Sequence, residues 1–182
     1  MKWNRYLQKM KGRSQCPPAV PMTEMLWSWI GSFIGILLVA FAHWGWALQG
    51  LDMVMIIGSF GASAVLVYGA IASPLAQPRN LCGGHFFSAL IGVACFKVLP
   101  EMPELASALA VSLAITVMHL TRTLHPPGGA TALIAVIGSE RIHDLGFYYA
   151  VVPALSGALL MLVVALLVNN LAPTRQYPEF WF

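Results

Sequence analysis

Formal charge is scarce throughout the long middle of this chain, from Trp27 to Asn170. That stretch resolves into six apolar segments with short connections: Met25–Leu48, Leu51–Ser73, Leu81–Leu99, Glu104–Thr123, Pro126–Ser139 and Leu145–Asn170. Only 9% of the 182 residues are charged, 58% are hydrophobic, and the mean hydropathy is +0.73. A soluble domain averages about 25% charged residues, which it needs to cover its core. The pattern excludes a soluble enzyme, a disordered chain and a nucleic-acid binder. It predicts an all-α integral membrane protein whose solvent is mostly lipid.

The domain plan follows from the same pattern. Residues 1–24 form a basic tail, 25–170 a membrane domain and 171–182 a C-terminal tail. Lys2, Arg5, Lys9, Lys11 and Arg13 crowd the first thirteen residues ahead of a long apolar run, which is a positive-inside topology signal. The run is too long for the core of a signal peptide, and the polar, proline-bearing stretch Ser14–Pro21 precedes it. Trp27, Trp29, Trp44 and Trp46 flank the first segment, where an interfacial aromatic belt belongs.

All the segments but the fifth are long enough to span. The fifth would be only about 21 Å of helix, too short for a hydrocarbon core of about 30 Å. The second carries Gly58 and Gly61 in its middle and reads as its broken counterpart. If all six segments cross with the N-terminus inside, Arg79, Arg122 and Arg175 join the basic tail. Lys97 and Arg141 then fall outside. This arrangement fits the positive-inside rule better than one with two re-entrant segments.

An internal echo supports the pairing. Gly61-Ala62-Ser63-Ala64-Val65-Leu66 aligns with Gly129-Ala130-Thr131-Ala132-Leu133-Ile134, 68 residues later. Each copy lies in the middle segment of three. Three crossings per copy make two inverted repeats, in which interrupted segments mark a transport site. The helix after each break would aim its N-terminus at mid-membrane, where free N–H groups and the dipole favour an anion. The candidate anion-binding residues are Ser59, Gly61, Ala62 and Ser63 in the first half. In the second half they are His125, Gly128, Gly129, Ala130 and Thr131, with Pro126 and Pro127 starting a helix. The competing reading is that these small residues only let helices pack closely.

Arg79, Asn80 and His85 read either as a cationic vestibule for the anion or as a topology charge beside interhelical hydrogen-bonding groups. His119 and Arg122 carry the same two readings. Asp52, Glu101, Glu104, Glu140 and Asp144 all fall at segment ends, so a buried carboxylate relay is not expected. Cys16, Cys82 and Cys95 lack metal-ligand spacing, and Cys82 and Cys95 read as small apolar helix residues. No cofactor, no metal and no enzymatic constellation is expected.

The stretches GSFGASAVLVYG (58–69), SPLAQPRN (73–80), GGHFFSALIGV (83–93) and HPPGGATAL (125–133) together resemble the HPP family, named for its His-Pro-Pro motif, here His125-Pro126-Pro127. The resemblance covers roughly Trp27 to Asn170. It implies a small integral membrane protein with four spanning helices, which two shorter elements reconcile with six segments. It also implies a transporter, and plastid and cyanobacterial members point to nitrite. The expected function is therefore an anion transporter or channel in an inner or plasma membrane with its N-terminus cytoplasmic. Its expected partners are lipid, a small anion and further copies of itself as a dimer or trimer. The alternatives are another small anion or weak acid, or a non-transporting membrane scaffold.

Overall fold

A computed structural model describes residues 16–47 and 57–182, together with 7, 9 and 10. Lys2, Arg5, Lys11, Arg13 and Asp52, and the side chains of His43, Trp44 and Trp46, lie outside the described residues. The described residues form helices and turns and carry no strand. In chain order, α1 is Met22–Ala47 and α2 is Ser59–Ala64, prolonged by a wider turn over Val65–Gly69. After a short 3-10 turn at Pro74–Ala76 come α3 (Pro78–Val98), α4 (Pro103–Leu120) and α5 (Pro126–Ile137). The chain ends with α6 (Glu140–Leu145), two irregular turns over 146–155, and α7 (Ser156–Leu171).

Three helices begin on proline: Pro78, Pro103 and Pro126. Proline lacks an N–H and fixes φ near the helical value, so it suits a first turn whose N–H groups have no partner. The stretches at 22–42, 78–98, 103–120 and 140–171 are long and apolar enough to cross a membrane. Helix α3, at 21 residues, is about 31 Å long. The sixth segment is not a single regular helix. Val152 leaves helical geometry (φ −132°, ψ 119°) just before Pro153, so α7 begins only at Ser156. Proline cannot continue a helix ladder, and Pro153 is the reason for the break.

The helices face inward with small residues and outward with large apolar ones. On α4, Ala106, Ala110, Ala114 and Met118 are buried, while Leu105, Leu109, Leu113 and Leu120 are exposed. On α1, Gly31, Gly35 and Val39 face in, and Trp29, Phe33, Leu37 and Phe41 face out. Gly31 and Gly35 make room for the ring of Tyr68, whose hydroxyl donates to the Met161 carbonyl at 3.0 Å. In lipid there is no hydrophobic gain from hiding leucine, so close backbone approach by small residues drives packing.

The tails and caps define two ends. Arg175 donates to the carboxylate of Glu24 (2.7 Å) and to the Tyr68 carbonyl (3.1 Å). The Tyr177 hydroxyl donates to Ala76 O, and Arg79 to Thr121 O. The starts of α1 and α3 and the ends of α4 and α7 therefore share one end, which holds Arg79, Arg122 and Arg175. At the other end His143 stacks on Phe96 (centroids 3.8 Å apart), and Lys97 and Arg141 lie there.

Candidate functional site

The site is built where α2, α3 and α5 meet. Helix α3 offers a stripe of small residues one turn apart: Gly84, Ser88 and Gly92. A Cβ on Gly84 would sit 2.4 Å from His125 Cβ, and one on Gly92 would sit 2.4 Å from the Ala132 carbonyl. A Cβ on Gly128 would meet Ser88 Oγ at 2.7 Å. These contacts run in register, so α3 and α5 lie parallel and almost backbone to backbone. Asn80 fixes that register by donating to the Leu124 carbonyl at 2.8 Å.

Helices α2 and α5 run antiparallel across α3. Thr131 Oγ1 lies 2.9 Å from Ser59 Oγ, and Ser63 Oγ lies 2.8 Å from His125 Nε2. The start of each helix thus lies beside the second turn of the other. Their N-terminal turns overlap side by side and do not face each other across a gap. The Phe60 and Gly61 N–H groups bond to Ile57 O and Gly58 O, and the Gly128 N–H to His125 O. Pro126 and Pro127 have no N–H at all. Three N–H groups of the expected cradle, those of Phe60, Gly61 and Gly128, are therefore spent within their own turns.

His85 occupies the crossing. Its Nε2 lies 2.7 Å from Ser63 Oγ and its Nδ1 lies 2.7 Å from Thr131 Oγ1. His125 continues the chain, with Nδ1 2.8 Å from the Leu75 carbonyl. The two imidazole centroids are 5.2 Å apart, and the Phe60 ring sits 5.2 Å from that of His85. Ser59, Ser63, His85, His125 and Thr131 are completely buried. The result is one continuous polar chain, Leu75 O–His125–Ser63–His85–Thr131–Ser59, with no carboxylate or guanidinium bonded to it among the described residues.

Of the sequence-derived candidates, Ser59, Ser63, His85, His125 and Thr131 come together here. Gly128 and Asn80 support the packing. Gly61, Ala62, Gly129 and Ala130 do not join the cluster: Gly61 and Ala62 are exposed, and Gly129 and Ala130 are half-buried. Ala62 and Ala130 line an open apolar groove of about 400 Å³ with Val65, Leu66, Pro126 and Pro127. Arg79 is half-buried at the end of the bundle, donating to Thr121 O at 2.6 Å. His119 and Arg122 are exposed, and His119 lines a second groove with Pro126 and Gly129. Cys82 is half-buried and Cys95 is buried against Ala106, Ala110 and Ala132.

Sequence reasoning missed the Leu75 carbonyl, Tyr149 and Ser88. Tyr149 donates to the Thr131 carbonyl at 3.1 Å. A main-chain carbonyl leaves no signal in a sequence. Ser88 was visible as the middle member of the Gly84-Ser88-Gly92 spacing. Its hydroxyl is buried without a hydrogen-bond partner among the described residues, pressed against Gly128 of α5.

Residues 17–178 match the sequence profile of the HPP transmembrane region. One transmembrane protein of Dictyostelium discoideum is 49% identical over 181 residues, covering 98% of this chain and 58% of that protein. Another from the same organism is 51% identical over 174 residues, covering 94% and 60%. The chain therefore spans about three-fifths of the length of these curated relatives. No solved structure matches it.

Proposed function

Since the chain belongs to the HPP transmembrane family, we propose that it carries a small inorganic anion across the bilayer, with nitrite the first candidate. The observation that carries this reading is the buried cluster at the overlap of α2 and α5. Stretch 59–69 is about 16 Å long and α5 about 18 Å, so neither crosses alone, and the overlapped pair covers about 25 Å of a hydrocarbon core of about 30 Å. The overlap thus falls near mid-membrane. Polar groups there are expensive, and in membrane proteins they mark solute pathways by default. Hydroxyl and imidazole N–H groups suit an anion that has lost its water.

The antiparallel meeting of the two related motifs supports an inverted-repeat transporter. Arg79 and Arg122 at one end supply positive potential for an entering anion. That end is cytoplasmic by the positive-inside rule, in an inner or plasma membrane. The groove bearing Ala62 and Ala130 suits a second copy of the chain. The full occlusion of the cluster favours one other reading, a non-transporting membrane scaffold.

Uptake into proteoliposomes separates the two. A transporter moves nitrite faster than protein-free vesicles do, and competition by a panel of small anions ranks its substrates. A scaffold gives no flux with any of them. Unchanged uptake by a Ser63→Ala, Thr131→Val double variant would remove the cluster from the pathway.

A further inference from the structure

The hydrogens of the polar chain can be counted. Read from Ser59 toward Leu75, each group gives one hydrogen to the next. Ser59 donates to Thr131, Thr131 to His85 Nδ1, His85 Nε2 to Ser63, Ser63 to His125 Nε2, and His125 Nδ1 to the Leu75 carbonyl. Both imidazoles are neutral, each with one N–H and one bare nitrogen. Every contact of the chain takes up one hydrogen, and none is left for a solute. An anion entering this chain would first have to break one of its bonds.

One hydroxyl beside the chain is free. Ser88 lies one turn beyond His85 on α3, and its fully buried Oγ has no hydrogen-bond partner among the described residues. Its place is set by Gly128 of α5, one turn before Thr131. A Cβ on Gly128 would lie 2.7 Å from Ser88 Oγ, 2.8 Å from the Gly84 carbonyl and 2.9 Å from Met118 Sδ. The bare Gly128 thus leaves a notch where α3, α4 and α5 meet. The notch adjoins the His85–Thr131 contact and so lies at the depth of the cluster. Buried hydroxyls are nearly always bonded, and one left alone weakens the fold. An orphan held at this depth keeps one hydrogen for a partner that comes and goes.

The notch has one wall that can move. Met118 is buried, and it also lines the groove of about 560 Å³ between α4 and α5, with Ile115, His119 and Gly129. Its unbranched side chain is flexible. Swung into the groove, it opens the notch toward α4, and its sulfur and methyl give up about the room that nitrite needs. His119 stands at the same groove, one turn before Arg122.

We propose that Ser88 holds the anion in transit, its hydroxyl donating to an anion seated in the Gly128 notch once Met118 has swung aside. This rests on the anion-transport reading and adds the binding donor and the substrate class to it. The notch offers one neutral donor and no cation, and the Gly84 carbonyl beside it repels negative charge. Bringing a divalent or tightly hydrated anion into such a place is too costly. The site therefore takes small monovalent anions whose water is loosely held, such as nitrite, nitrate or thiocyanate, and refuses sulfate and phosphate.

The test uses the full chain in proteoliposomes and in detergent, with nitrite as the probe. Removing an orphan hydroxyl costs a fold little, so Ser88→Ala should melt at or above the parent midpoint in the absence of nitrite. It should raise the half-saturating nitrite concentration for uptake about tenfold or more, the worth of a hydrogen bond to a charged group. In detergent, nitrite should raise the melting midpoint of the parent and raise that of Ser88→Ala less. Ser88→Cys, which keeps a weak donor, should fall between the two. Met118→Leu, similar in volume but branched, should slow uptake with little loss of stability. In the parent, nitrate and thiocyanate should compete with nitrite, and sulfate and phosphate should not. Half-saturation and nitrite stabilisation in Ser88→Ala that match the parent overturn the site and leave anion transport standing. Undiminished uptake by Met118→Leu overturns the route past Met118. Nitrite stabilisation that depends on Ser88, without uptake of any anion, overturns transport and keeps the site. Neither uptake of nor stabilisation by any anion overturns both.

Discussion

Ser63 and Thr131, which occupy the same position in the two copies of the repeated motif, hold opposite nitrogens of one imidazole, that of His85, each at 2.7 Å. The relation explains why a hydroxyl recurs at that place while its neighbours are glycine and alanine. The small residues let α2 and α5 cross near α3, and the hydroxyls meet what α3 presents. A single histidine on a third helix thereby ties both copies together.

Removing these hydroxyls should cost stability as well as uptake. Ser63→Ala leaves both Nε2 atoms without their shared partner. Thr131→Val leaves His85 Nδ1 and Ser59 without theirs. An orphaned buried polar group costs about 1–3 kcal/mol, so Ser63→Ala should lower the unfolding midpoint in detergent more than Thr131→Val. Thr131→Ser should stay near the parent. Equal midpoints for all three variants would mean that the cluster does not hold the helices.

Much of this arrangement was legible in the chain. The scarcity of charge announced the membrane, and Pro126 marked a helix start to the residue, whereas the segments begun at Leu81 and Glu104 start earlier, at Pro78 and Pro103. The repeat picked out Ser63 and Thr131, and the rarity of buried histidine picked out His85 and His125. What was not legible depends on contacts far apart in sequence. Nothing local says that Ser59 meets Thr131, 72 residues on, or that His125 ends on the Leu75 carbonyl. The expectation of free helix N–H groups missed that Gly128, Phe60 and Gly61 bond back within their first turns. Arg175 read as a tail charge because its partners, Glu24 and Tyr68, are more than 100 residues away.

The glycines divide into two groups that mutation should separate. Gly84→Ala and Gly92→Ala would each place a methyl 2.4 Å from α5, against His125 Cβ or the Ala132 carbonyl. The helices would have to part, and overpacking of this kind costs about 1–3 kcal/mol or more. Gly61→Ala meets nothing within 4 Å. Alanine favours a helix over glycine by about 1 kcal/mol, so this variant should be as stable as the parent or more so. Melting curves in detergent check both halves of the contrast. Uptake by the stable Gly61→Ala variant then reports directly whether the Gly61 backbone touches the anion.

Arg79 joins a structural bond to a position at the mouth of the bundle. Its guanidinium donates to Thr121 O, which glutamine could replace in part, whereas its charge could not be replaced. Arg79→Gln should raise the half-saturating anion concentration several-fold, with a smaller change for Arg79→Lys, and raised ionic strength should narrow the differences. Kinetics of nitrite uptake at two salt concentrations decide this. A salt-independent loss of maximal rate alone would make Arg79 a packing residue.

Arg175 clasps the two ends of the chain. It donates to the Glu24 carboxylate and carbonyl, the Ser28 hydroxyl, the Tyr68 carbonyl and the Asn169 side chain, and its own side chain is 3% exposed. Five bonds fan out from a planar fork, and an ammonium, with three donors on a flexible stem, cannot reach them all. Arg175→Ala leaves Glu24 without its cation and the carbonyl at the end of α2's prolongation without its donor. Breaking a buried ion pair costs about 3–5 kcal/mol, and the 26% exposure of the Glu24 side chain puts this one at the low end. Arg175→Lys should recover only part of the loss, and Glu24→Gln should cost less than Arg175→Ala because the other bonds of the guanidinium survive. Thermal unfolding of the three variants in detergent gives the order. If Arg175→Lys matched the parent, charge alone would hold the clasp and the fork geometry would be incidental.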